Sequence, residues 1–122
     1  MILEIISGIY ALIVGAGMIG IWIILLITKQ VPEIKTAPID ISLHITAEYL
    51  TGLLSILSGI LLLVNITWAG ILFIVSLGMV IYAVINAGGY YGQKKEWSFV
   101  ILFGVLFISA VILLIFNILQ IV

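Results

Sequence analysis

Four long apolar stretches constrain this chain more than any motif in it. A helix needs about 20 apolar residues to cross a hydrocarbon core of about 30 Å. Runs of that length lie at about 5–28, 41–64, 68–91 and 97–118. The runs are continuous and do not alternate apolar with polar, which excludes a β-barrel. Of 122 residues, 66% are hydrophobic and 7% charged. A soluble domain is nearer a quarter charged, so the solvent for most of this surface is lipid. The expectation is an all-α membrane protein: one domain over 1–122, folded as an antiparallel bundle of four transmembrane helices. The first stretch lacks a basic leader and is too long for a cleavable signal, so it reads as a span that stays.

The connections are short, which makes sequence neighbours antiparallel packing partners. The first, "KQVPEIKTAPID", holds Pro32 and Pro38, expected to stop helix propagation, and Asp40, expected to cap the second span. The second is "NIT" at 65–67. It matches a glycosylation pattern, but against a membrane Asn65 reads better as satisfying helix ends. The third is "GQKKE".

Charge placement orients the bundle. The four basic residues are Lys29 and Lys35 in the first connection and Lys94 and Lys95 in the third. The opposite side, with both termini and "NIT", has none. Positively charged loops stay inside. Loops 29–40 and 92–96 are therefore expected in the cytoplasm and both termini on the outer side. The setting is a cell membrane, with isoleucine abundance suggesting a prokaryotic plasma membrane. Trp22, Trp97, Tyr90 and Tyr91 fall near the cytoplasmic boundary and Trp68 near the outer one, as an aromatic belt.

Against this background one segment is anomalous. "SLHITAEYLTG", at 42–52, carries His44 and Glu48 at the start of a span. Residues four apart share a helix face. The same face continues through Thr51, Ser55 and Ser58, a polar seam that lipid cannot satisfy. At about 1.5 Å per residue, Glu48 lies roughly 10 Å inside the span. Asn86 falls at about that depth on the third span, Tyr90 near the level of His44, and Tyr82 one turn deeper. The candidate site is therefore His44, Glu48, Tyr82, Asn86 and Tyr90, with Lys94 and Lys95 at its mouth. A charge at a span centre costs about 3 kcal/mol. Glu48 thus reads as a ligand- or proton-binding group, with His44 passing protons. The competing reading is structural: Glu48 locks the second span to the third.

Other chemistry is sparse. There are no cysteines. One histidine and one glutamate fall short of the ligands a zinc site needs. Asp40, His44 and Glu48 form a row too extended to meet on one ion, so no metal is expected, and no cofactor is indicated. The "GAG" in the first span has no preceding strand and is no nucleotide loop. A net charge of −1 gives no attraction for nucleic acid. With no nucleophile motif, the expectation is a non-enzyme.

Small residues suggest where helices meet. Ser7, Ala11 and Gly15 form one row, and Ala16 and Gly20 another; both suit packing in the bundle or a homodimer contact. Gly92 reads as a helix C-cap, with Gly88 and Gly89 as close-packing positions. Glu4 suits a helix start. Asn117 and Gln120 read as interfacial.

The run "GYYGQKKEWSFVILFGVLFISAVILLIFNIL" resembles the third-loop and last-helix region of the small multidrug resistance transporters, whose length and four spans also match. It covers about a quarter of the chain. The resemblance implies a transporter. That family places a glutamate in the middle of its first span; here that span has only Glu4, at its end, so no functional residue carries over. The functional expectation is a small binding or transport-like protein for a small molecule or ion. Its expected partners are the bilayer and either another copy of itself or a larger membrane complex. The alternative is an accessory subunit of a larger membrane complex; a third, less favoured, is an intramembrane enzyme with His44 and Glu48 as acid and base.

Overall fold

A computed structural model describes residues 2–122. It contains four long helices, α1 (Ile2–Ile27), α3 (Pro38–Leu63), α4 (Ala69–Gln93) and α5 (Trp97–Ile121), and one short helix, α2 (Glu33–Thr36). No strand is present among the described residues. Each long helix is apolar and long enough to cross a membrane. Every boundary lies within a turn of the expected stretch.

Backbone contact holds α1 against α3. Gly15 faces Gly52, where an added Cβ would lie 2.6 Å from the Gly52 carbonyl oxygen. Gly59 faces Gly8, where a Cβ would lie 2.9 Å from the Gly8 oxygen. The two pairs run in opposite order, so the helices are antiparallel, and two turns separate them on each helix. Ser7, Ala11 and Gly15 are buried, so the first small-residue row packs inside the chain. The second does not: Ala16 is exposed, and no atom lies within 4 Å of a Cβ built on Gly20.

The core between the pairs is apolar. Phe73 and Leu77 of α4 pack with Ala11, Leu62, Ala110 and Leu113. Val14, Val80 and Val84 form a second cluster beside Phe103 and Phe107. Three polar ties join α1 to α5. The Tyr10 hydroxyl donates to the Leu106 carbonyl at 2.8 Å. Asn117 donates to Ser7 Oγ at 3.1 Å, and Gln120 to Glu4 at 2.5 Å. Asn117 is buried. This corrects its expected interfacial role: its amide finds Ser7 and the Leu113 carbonyl, partners that lipid lacks.

The turns after α1, α3 and α4 share one construction. Lys29, Asn65 and Lys95 each take a left-handed backbone, with φ 58°, 61° and 60°. In each, the next amide reaches back five residues: Gln30 to Leu25, Ile66 to Leu61 and Glu96 to Tyr91, all at 3.0 Å. This is the Schellman closure, made without glycine. It corrects the expected cap at Gly92, which lies inside α4. The helix runs on to Gln93, and its closure falls at Lys95 and Glu96. Gly88 and Gly89 are helical too, with open space beside them rather than close packing.

The start of α3 also differs from expectation. Pro38 opens the helix at its first position, Ala37 is the N-cap, and no side chain caps it. Proline has no amide to leave orphaned there and its φ is already helical. Asp40 therefore sits in the first turn, favourable for the helix dipole but not a cap.

Candidate functional site

The polar seam of α3 divides into two parts. Ser55 and Ser58 are buried, with Ser58 Oγ 3.4 Å from Ser76 Oγ on α4. Thr51 is buried and bonded to the Ala47 carbonyl. These hydroxyls lie in the α3–α4 contact, and those of Thr51 and Ser58 donate to carbonyls of their own helix, Ala47 and Ser55. Nearer the lysine-bearing end the two helices leave a groove of about 380 Å³.

Polar side chains line that groove from both helices: His44, Glu48 and Thr51 from α3, Tyr82 and Asn86 from α4. Its apolar wall is Val75, Met79 and Ala83. Helical spacing explains the α4 stripe, because positions 75, 79, 82 and 86 recur every three or four residues on one face. Gly78 adds space, since a Cβ there would touch nothing within 4 Å.

His44 Nε2 lies 2.5 Å from Glu48 Oε2. The imidazole also meets the Trp22 indole of α1 edge-on, with centroids 5.7 Å apart. Among the described residues His44 is the only hydrogen-bonding partner of Glu48. Tyr82 and Asn86 have none. Tyr82 is 71% exposed, so the groove opens sideways between the helices.

Tyr90 stands apart from this group. Its hydroxyl donates to Glu33 at 3.3 Å and accepts from Lys94 at 2.7 Å. It tethers α2 to the end of α4 and does not line the groove. The hydroxyl also holds the Lys94 ammonium above the ordinary lysine range. Four of the five candidate residues thus share one groove, and the fifth serves a neighbouring tie.

Sequence reasoning missed Trp22 as a neighbour of His44; a belt position gave no sign of its azimuth. It also missed Val75 and Met79, which the stripe through Tyr82 and Asn86 identifies once α4 is aligned. Among the described residues, no group of three or more His, Asp and Glu is placed to hold a metal ion.

No curated protein and no solved structure gives a significant match. The chain belongs to the family described as a domain of unknown function (DUF8058), whose model matches residues 1–121.

Proposed function

We propose that this DUF8058 protein is a multi-pass membrane protein whose α3–α4 groove binds a small molecule or ion. One observation carries the reading. Among the described residues, Tyr82 and Asn86 line an open groove with no intramolecular partner, beside a carboxylate whose only partner is His44. Lipid cannot satisfy such groups, and polar residues inside spans mark binding sites by default.

Lysine placement supports an orientation with loops 29–40 and 92–96 in the cytoplasm and both termini outside. The groove then opens in the cytoplasmic half of a prokaryotic plasma membrane. Toward the outer side it ends blind, because Ser55, Ser58 and Ser76 are buried beyond Thr51. Binding is therefore favoured over conduction in this conformation.

A second reading shares the same support. The sideways opening at Tyr82 and Asn86 also suits a helix of a partner, as in an accessory subunit of a larger complex. Burial of Ser55 and Ser58 removes them from any such contact. Native mass spectrometry of protein extracted gently from its own membranes separates the two. A small molecule bound to the monomer or homodimer supports the binding reading. Stoichiometric partner polypeptides, with no small molecule, support the subunit reading and sink the first.

A further inference from the structure

Resting on that reading, we infer that the groove takes a lipid-soluble single-chain primary amine, its ammonium on Glu48 and its chain against Val75 and Met79. Three features of the groove select this class. The first is charge. Glu48 is its only acid, and no lysine lines it. An anion would meet a carboxylate with no cation to offset it, while a cation meets an acceptor that already holds a donor at 2.5 Å.

The second feature is the geometry of that donor. Glu48 Oε2 is engaged by one nitrogen, from His44. A ligand that displaces the imidazole must supply a donor hydrogen in its place. A primary ammonium has three. The Asn86 carbonyl and the Tyr82 hydroxyl, neither of which has a partner among the described residues, accept the others. A quaternary ammonium carries the charge without a hydrogen to donate.

The third feature is access. Val75 and Tyr82 are 52% and 71% exposed, so the apolar part of the groove is continuous with the outer surface of α4. A ligand enters from the lipid side with its chain still in apolar surroundings. Only its head is transferred to the protein, and that head is held by groups that lipid leaves unsatisfied.

Trp22 reports on this directly, because its indole touches His44. In a Trp68→Phe, Trp97→Phe background it is the sole tryptophan. Both replaced residues are exposed. Dodecylammonium, dodecyltrimethylammonium, dodecanol and dodecanoate are titrated into that protein in nanodiscs. Dodecylammonium is expected to give a saturable change in Trp22 emission. Charge-assisted hydrogen bonds contribute about 1.5–3 kcal/mol, so dodecyltrimethylammonium should bind about ten- to a hundredfold more weakly. Dodecanoate should give no saturable change. Glu48→Gln should abolish the dodecylammonium response. Val75→Phe, which fills the groove at an exposed position, should do so without touching the carboxylate.

Equal response to the two cations would overturn the amine class, as would a response that survives both variants. Saturable binding of dodecanol or dodecanoate that Val75→Phe removes would also overturn it, yet leave the groove a binding site. No saturable response to any of the four probes would overturn the class, leaving the groove itself to the mass-spectrometric test above.

Discussion

Glu48 and Asn117 are both polar residues in apolar helices, and their surroundings assign them opposite roles. Asn117 is buried and doubly bonded, to Ser7 and to the Leu113 carbonyl. It closes α5 onto α1. Hydrogen bonds between helices in membranes contribute about 0.6 kcal/mol on average and up to about 1.7. Ser7→Ala should therefore lower stability in detergent by an amount in that range, read by thermal unfolding. Glu48 instead faces an open groove and has a single partner four residues away on its own helix. Glu48→Gln removes no contact between helices, so its melting temperature should stay near that of the parent while ligand binding is lost. A variant that unfolds would return Glu48 to the structural role. From the sequence, the two residues could not be ranked in this way. His44 and Glu48 stood out through their spacing, but Asn117 and Gln120, near the end of the last helix, gave no sign that Ser7 and Glu4 wait on α1.

Between elements, the α1–α3 contact is set by glycines two turns apart. Gly15→Ala puts a methyl 2.6 Å from the Gly52 carbonyl oxygen, and backbone cannot move aside. Overpacking of this kind costs about 1–3 kcal/mol. Gly17→Ala, where a Cβ meets nothing within 4 Å, should be neutral or slightly stabilising. Equal melting temperatures for the two variants would contradict the assigned crossing. The turns allow a second comparison. A left-handed residue other than glycine is strained by roughly 1–2 kcal/mol. Lys95→Gly should raise stability by up to about 1 kcal/mol, and Asn65→Gly by less, since asparagine tolerates that conformation. Helix positions were legible because apolar length alone defines them. The caps were not. Gly92 looked like a terminus by propensity, but the roughly 1 kcal/mol that a helical glycine costs does not end the helix, which runs on to the closure at Lys95 and Glu96. Asp40 looked like a cap until Pro38 began the helix two residues earlier.

For the whole molecule, lysine asymmetry and the groove make one proposed arrangement: a site near the cytoplasmic face, closed toward the outside. A single cysteine placed at Val122, which is fully accessible, should react with an impermeant reagent from outside intact cells, and one at Lys94 should not. Reaction of the Val122 cysteine only from the cytoplasmic side would invert the topology. The depth of each candidate residue was readable at the level of sequence, since rise per residue is fixed. Azimuth was not. Asn86, expected at the depth of Glu48, and Tyr82, expected one turn deeper, line the groove with Glu48, while Tyr90, expected at the height of His44, turns instead toward Glu33 and Lys94.

On the proposed reading the His44–Glu48 pair lies in a groove that a ligand enters. The chain has one histidine, so protein labelled with ¹⁵N-histidine gives one imidazole to observe by NMR. Addition of a small-molecule extract of the native membranes should shift the His44 Nε2 signal saturably, and Glu48→Gln should remove the response. A His44 signal that no extract moves, in a folded protein, would contradict ligand entry to the groove.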